Sequence, residues 1–401
     1  MNNKIYSRIC LLICTLAMAF TMLPGCKKEN LDAPVITGVR NYAPAPSDSV
    51  LNNLVPGQWV VLSGRNLQNA LQISFDGIPA TFNAALFSDS NAVVLVPDVI
   101  PFPSVPAEKL NTIYYVTPEG ATTFKFNIVA PPPTISGVSN ENANMGDSVY
   151  ISGFNFFFIQ GISFAGTSIT DYTSSGDGTV IRFVLPALSQ TGPVAVTTKS
   201  GTATTVFNVN NASTESLCNF DNINTFSWGT NTDNSSTGFP GNRDYYAVLS
   251  NDVLPAGEGS WWNWQRGINT NDVQWLPVSS LSGALADYAL KFEISVPVEY
   301  SGTSIYVVKS YNWDYLARYE PWKDVNGASF PFSTKGWRTV TIPLTEFRKD
   351  EGKGVSAASL TDLLGSSANG SISIHTKNFG NTPTATGLNA AIDNIRVVRI
   401  K

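Results

Sequence analysis

Pro34-Val35-Ile36-Thr37-Gly38-Val39 returns as Pro133-Thr134-Ile135-Ser136-Gly137-Val138, 99 residues further along. Working outward from this pair, the repeat continues. Val61-Leu62-Ser63-Gly64-Arg65-Asn66-Leu67 matches Tyr150-Ile151-Ser152-Gly153-Phe154-Asn155-Phe156, and Ile73-Ser74-Phe75-Asp76-Gly77 matches Ile162-Ser163-Phe164-Ala165-Gly166. Val94-Leu95-Val96-Pro97 then matches Phe183-Val184-Leu185-Pro186. Each copy is a series of short alternating apolar runs between Gly, Pro, Asn and Asp, the pattern of half-buried strands joined by tight turns. Helical periodicity is almost absent. Two copies of one supersecondary unit predict two similar β-domains in tandem. The first copy carries longer loops, one of them rich in proline (Pro101, Pro103, Pro106).

The repeated pattern resembles the IPT/TIG branch of immunoglobulin-like folds. The resemblance implies two sandwiches, residues 34–130 and 131–210, that serve as spacer and interaction modules without chemistry of their own. Their glycines read as turn positions where positive φ is cheap. Pro131-Pro132-Pro133 stiffens the join into a semi-rigid rod. Asn210-Asn211-Ala212-Ser213-Thr214 reads as a softer linker into a third domain, residues 211–401.

That third domain opens with Cys218-Asn219-Phe220-Asp221-Asn222 and closes with Ala391-Ile392-Asp393-Asn394-Ile395-Arg396-Val397-Val398. Lys291 to Val296 and Arg338 to Ile342 alternate cleanly between apolar and polar. With the run from Gly336 to Phe347, these segments resemble β-sandwich jelly rolls of the carbohydrate-binding kind. The fold class expected is therefore all-β: two tandem immunoglobulin-like (IPT/TIG) sandwiches followed by a jelly-roll β-sandwich.

Eight of the nine tryptophans fall after residue 227. A core needs one or two, and the surplus points to flat rings offered to the apolar C–H faces of sugars. In Ser260-Trp261-Trp262-Asn263-Trp264-Gln265-Arg266, an extended chain puts Trp262 and Trp264 on one face and Trp261 on the other. In Tyr311-Asn312-Trp313-Asp314-Tyr315, the three aromatics share a face if extended, and Trp322 follows soon after. Trp275 sits beside Asn271, Asp272 and Gln274. The candidate glycan contacts are Trp262, Trp264, Trp275, Tyr311, Trp313, Tyr315 and Trp322. Trp228 and Trp337 are assigned to the core and framework.

The first 25 residues read as an export signal, with Lys4 and Arg8 ahead of an apolar stretch from Ile9 to Leu23 that is short for a membrane span. It ends in Leu23-Pro24-Gly25-Cys26, which resembles a bacterial lipobox and makes Cys26 the lipidation site. Residues 26–33 then form a tether. Cys10 and Cys14 leave with the signal and Cys26 takes lipid, so Cys218 is left without an intrachain disulfide partner.

Net charge is −5 and only 14% of residues are charged, with no basic stripe for nucleic acid. There is no zinc spacing, nucleophile elbow or phosphate loop. The one histidine, His375, lies on the polar phase of a strand. Asp221 and Asp393 read as satisfied turn carboxylates, with a structural calcium as the alternative. No cofactor and no catalytic residue are expected.

The whole layout resembles the surface glycan-binding lipoproteins of outer-membrane polysaccharide-utilisation systems, the type whose C-terminal domain binds xyloglucan. That resemblance implies non-catalytic capture of a neutral β-linked glycan (xyloglucan, β-glucan or β-mannan) at the cell surface. It also implies a glycan transporter and surface hydrolases as partners. The rival readings are a protein-binding adhesin that uses the IPT/TIG modules, and a glycoside hydrolase.

Overall fold

The computed structural model describes residues 32–257, 267–311, 313–378 and 380–401. Within them the chain is all-β, in antiparallel sheets with only short helical turns. It divides into two compact units, one of residues up to Ile100 with Val105–Val129, the other of Pro101–Ser104 with Ala130–Lys401.

The first unit pairs two four-stranded sheets. One runs in the order Val35–Asn41, Trp59–Arg65, Asn91–Leu95, Phe82–Phe87; the other runs Ile78–Pro79, Gln72–Phe75, Thr112–Thr117, Gly120–Lys125. Alternate residues turn inward: Val60, Leu62, Ala92 and Val94 meet Ile73, Phe75, Ile113 and Tyr115, all fully buried. The second unit opens with the same arrangement. Tyr172–Ser174, Val180–Val184, Ser148–Phe154 and Thr134–Val138 form one sheet; Thr167–Ser168, Ile159–Phe164, Val194–Thr198 and Gly201–Thr204 form the other.

The repeated glycines divide into two kinds. Gly77 and Gly166 have φ of 79° and 77°, as turn positions should. Gly64 and Gly153 do not. There a Cβ would lie 1.9 Å from the carbonyl oxygen of Val35 or Thr134, so glycine is required by close approach of the first strand. The left-handed residues are the asparagines two places on, Asn66 (φ 59°) and Asn155 (φ 61°), a residue type that tolerates this region.

From Ser216 onward the second unit is a sandwich. Its back sheet runs Asn231–Asp233, Tyr246–Leu254, Thr384–Arg399, Tyr288–Ser295, Arg338–Pro343, with Ser216–Cys218 paired to the long Thr384–Arg399 strand. Its front sheet runs Gly267–Asn269, Ile372–Thr376, Ile305–Lys309, Leu316–Tyr319. Phe292 and Ile294 from the back meet Ile268, Ile374, Val307 and Ala317 from the front in one core.

The alternating strand Tyr288–Ser295 departs from expectation, because its polar phase is buried too. Lys291, Glu293 and Ser295 are each 2% exposed. The preceding immunoglobulin-like domain covers Lys291 and Glu293. Lys291 Nζ donates to Glu141 Oε1 at 2.5 Å, and the Arg396 guanidinium bridges Glu141 Oε2 at 2.7 Å and Glu293 Oε1 at 2.8 Å. Lys291 also lies 3.4 Å over the Phe207 ring. Burial pulls the Lys291 ammonium below its ordinary value, although Glu141 opposes this. Thr339 N–H donates to the Ser139 carbonyl at 2.8 Å. Val398 and Ile400, at the end of the chain, pack into the immunoglobulin-like core.

The soft linker expected at Asn210–Thr214 is therefore corrected. Asn210 N–H bonds the Glu141 carbonyl at 2.7 Å, and Asn211 N–H bonds Asn142 Oδ1 at 2.9 Å. Arg243 donates to Asn210 Oδ1 at 3.0 Å from the other side. These bonds fix the linker backbone between the two domains it joins.

Candidate functional site

The front sheet has one face in the core and a second that carries polar and aromatic side chains. Register places Gly267, His375, Tyr306 and Arg318 in one cross-strand row of that second face, and Asn269, Ser373, Val308 and Leu316 in the next. Ser373 Oγ donates to Asn269 Oδ1 at 2.6 Å. Trp313 lies on this face, packed against Tyr306, Val308 and Leu316. Its ring meets Tyr306 edge-on at 5.9 Å and His375 at 6.1 Å. The Lys377 ammonium stands 4.5 Å over the same indole.

His375 is thus not on a solvated phase. It is fully buried in the middle strand of this sheet, beneath Trp313. Pattern alone cannot separate a solvated polar phase from one that loops have covered.

The loop that delivers Trp313 is not extended. Ser310, Tyr311 and Trp313 have φ of 57°, 58° and 58°, a region that costs non-glycine residues about 1–2 kcal/mol each. The left-handed backbone breaks the single-face reading. Tyr311 turns to stack on Trp228, with centroids 5.9 Å apart and planes 30° apart, and its hydroxyl donates to the Thr270 carbonyl at 2.6 Å. Burial raises the Tyr311 phenol above its ordinary value. Across from this loop, Asp350 and Glu351 are also left-handed, with φ of 51° and 58°. Strained residues on both sides of a cleft are the pattern of a site held in a working geometry by its surroundings.

Trp313 lines one hollow, and its neighbours Tyr306 and Lys377 line a second. One, of about 510 Å³, is lined by Trp313, Tyr315, Asp314, Lys349, Asp350 and Asp362, with Glu351 at its edge. The Tyr315 hydroxyl donates to Asp362 Oδ2 at 2.8 Å, and that bond raises the phenol and holds the Asp362 carboxyl down alongside the Ala358 N–H. The other, of about 260 Å³, includes Ser304, Tyr306, Arg318, Glu320, Trp322 and Lys377. There Arg318 bonds Glu320 at 2.5 Å and Ser304 Oγ at 3.0 Å, and Ser304 Oγ also bonds Glu320. Burial works to raise Glu320, but bonds from Arg318 and Ser304 outweigh it and leave the carboxyl below its usual value.

Of the seven candidates, Tyr311, Trp313, Tyr315 and Trp322 come to this region. Trp322 is half-buried, its indole N–H donating to the Thr303 carbonyl at 2.5 Å. Trp262 and Trp264 lie outside the described residues. Trp275 is corrected. It is 2% exposed, packs edge-on against Phe347 at 5.7 Å, and donates its N–H to the Gly370 carbonyl at 3.0 Å. It follows the short strand Val273–Gln274, and its own N–H pairs with the Ala368 carbonyl, which turns the ring inward. Its polar neighbours in sequence face elsewhere. Trp228 is corrected in the opposite sense. Assigned to the core, it is 52% exposed and stacks on Tyr311. No sequence signal marked it, because its partner is 83 positions away. Trp337 is half-buried against Tyr246 at 5.7 Å, a framework role. Among the described residues, no group of three His, Cys, Asp or Glu is placed to hold a metal.

Comparison with known proteins bears on this domain directly. Residues 210–399 match the family of the surface glycan-binding protein B xyloglucan binding domain. The resemblance read from the framework motifs is to this same family. The fold is similar to the crystal structure of surface glycan-binding protein PbSGBP-B from Prevotella bryantii, with a TM-score of 0.68 and 20% identity over 92% of this chain and 99% of that one. It is also similar to SGBP-B from a complex xyloglucan utilization locus in Bacteroides uniformis, with a TM-score of 0.50 and 21% identity over 92% of this chain and 100% of that one. At these identities the likeness concerns the fold. An IPT/TIG domain-containing protein of Bacteroides ovatus is 26% identical over 215 residues. The match spans 50% of this chain and 44% of that relative, less than half its length.

Proposed function

We propose that this protein is a non-catalytic glycan-binding protein of the cell surface, and that it captures a β-linked glucan chain of the xyloglucan class. The supporting observation is that the family-matched domain carries an aromatic platform on the outer face of its front sheet. Trp313 packs edge-on against Tyr306, and the exposed Trp228 stacks on the half-buried Tyr311 of the same loop. Such rings stack on the C–H faces of a glucan, and the flanking carboxylates, hydroxyls and ammonium groups reach its hydroxyls.

The chemistry of the site favours binding over hydrolysis. A glycosidase needs an acid and a second carboxylate across the scissile bond. Here Glu320 is held ionised by Arg318, and Asp362 is held down by Ala358 and Tyr315, so neither is prepared as a proton donor. Lipid attachment at Cys26 places the chain on the outer membrane, and the immunoglobulin-like domains serve as its stalk. A glycan transporter and surface hydrolases of the same system are its working partners. One site holds a chain segment at roughly mM to μM, about −4 to −8 kcal/mol, and many copies on one polymer raise retention.

The test is isothermal titration of the chain from Cys26 with oligosaccharides of xyloglucan, mixed-linkage β-glucan and β-mannan. A parallel assay measures reducing ends. Saturable binding to a β-glucan without reducing-end release is expected. Absence of binding to every glycan in the panel removes the reading, and steady release of reducing ends replaces it with an enzyme.

A further inference from the structure

Trp59 is the one tryptophan outside the third domain. In its strand Val60 and Leu62 face the core, which sends the Trp59 ring to the opposite face, where it is 46% exposed. Tyr42, 59% exposed, stands beside it with ring centroids 6.1 Å apart and planes 45° apart. The second immunoglobulin-like domain is an internal control. Trp59 pairs with Leu95 across the sheet as Ser148 pairs with Val184, so the equivalent position there holds serine. Tyr42 opens a connection of seventeen residues, 42–58, where the second copy uses nine, 139–147. The same sandwich thus forms without either ring and without the longer loop. Long connections in compact domains are usually functional.

The loop is held at its base. Leu51 N–H donates to the Val39 carbonyl at 2.9 Å and Asn41 N–H to the Ser49 carbonyl at 3.0 Å. Asn41 Nδ2 donates to the Ser47 carbonyl at 2.8 Å, and Arg40 pairs with Asp48 at 3.0 Å. The rings therefore stand on a fixed backbone, and a ligand has little to order there. Residues 41–59 carry one charge, Asp48, which Arg40 neutralises. The loop otherwise exposes neutral donors and acceptors, Ser47, Ser49, Asn52 and Asn53. Two aromatic rings in an uncharged polar setting suit the C–H faces and hydroxyls of a neutral sugar better than a charged partner. The third domain presents a pair of the same makeup, Trp228 on Tyr311, at 5.9 Å.

Resting on the glycan-binding reading above, we infer that Tyr42 and Trp59 form a second, weaker contact site for the same uncharged β-linked polymer, on a domain that otherwise serves as stalk. Its effect comes from the length of the ligand. A polymer held at the third domain offers its remaining segments to Trp59 at a raised local concentration.

The experiment compares the chain from Cys26 with its variant Tyr42→Ser/Trp59→Ser, which takes at position 59 the residue the second copy already uses. Both are titrated with a xyloglucan oligosaccharide of one repeating unit, and both are run on affinity gels that contain polymeric xyloglucan. A long polymer reaches both sites whatever their spacing. The expected result is about tenfold weaker polymer affinity in the variant, with the oligosaccharide affinity, set by the third domain, unchanged. Trp59→Phe, which keeps a ring, should retain most of the polymer affinity. Equal polymer affinity of parent and variant overturns the second site and leaves the glucan reading standing. An equal loss on polymer and oligosaccharide also overturns it, because the rings then support the fold instead of holding sugar. A parent that dimerises through these rings, with a monomeric variant of unchanged polymer affinity, assigns them to a second copy instead. A parent that binds no glucan overturns both readings.

Discussion

Arg396→Met tests whether the last two domains fold as one body. Arg396 is 2% exposed and makes four hydrogen bonds: three to Glu293 and Glu141 carboxylate oxygens at 2.7–2.9 Å, and one to the Asn394 carbonyl at 2.8 Å. Methionine fills similar space but leaves Glu141 and Glu293 with Lys291 as the one buried cation beside them. Removing one partner of a buried ion cluster costs about 3–5 kcal/mol, because the stranded charge remains desolvated. For a unit of this size each kcal/mol lowers Tm by roughly 2 °C, which gives about 6–10 °C. Differential scanning calorimetry of residues 131–401 measures it. The same variant in a fragment of residues 211–401 should cost far less, since Glu141 is absent and the site is open to water. A shift under about 2 °C in the longer fragment would falsify the coupling, because a solvated surface pair contributes ~0–1 kcal/mol.

Trp313→Ala should weaken glucan binding by about 2 kcal/mol, roughly thirtyfold, as removal of a central aromatic anchor does; Trp275→Ala should leave the affinity of the folded protein unchanged and lower its stability by ~3–5 kcal/mol. Titration and thermal melts of both variants check this. Gly153→Ala forces a Cβ to 1.9 Å from the Thr134 carbonyl and 2.6 Å from the Phe156 ring, so a melt should show a loss of at least ~2 kcal/mol. Burial, with the nearby Glu293 charge, pushes the Asp393 carboxyl well above its usual range. The fold then binds a proton that the unfolded chain has released, and stability falls as pH rises from the ordinary carboxylate value through the raised one. Asp393→Asn, which still accepts from Asn394 N–H, should be more stable than the parent at neutral pH and should flatten that slope in melts from acid to neutral. A less stable Asn variant at neutral pH would contradict the sign. Ser310→Gly relieves a φ of 57° and should raise stability by up to about 1 kcal/mol, read from the same melts.

The β-architecture was legible because alternation and turn residues act locally. The repeat from Pro34 and Pro133 identified two similar domains, and the framework runs Cys218–Asn222 and Ala391–Val398 pointed to the glycan-binding sandwich family matched over residues 210–399. The candidate site was legible only in part. The density of aromatics in residues 311–322 singled out a loop that the fold brings to the outer face of the front sheet, while the fate of each ring depended on neighbours distant in sequence. Trp275 was turned inward by pairing with Ala368 and Gly370, and Trp228 was drawn out to Tyr311. Alternation in Lys291 to Val296 says nothing of what covers its polar phase, because Glu141, which covers Lys291, lies 150 residues earlier.

Period-two hydrophobicity, the glycine and proline punctuation and the doubled motif were enough, in the chain itself, to settle strands, sandwiches and their repetition. They depend on forces between residues a few places apart. Which rings are exposed and which charges are buried were decided by the tertiary fold alone. Those outcomes depend on desolvation and contact between segments up to 255 positions apart, as with Glu141 and Arg396, and no local pattern records them.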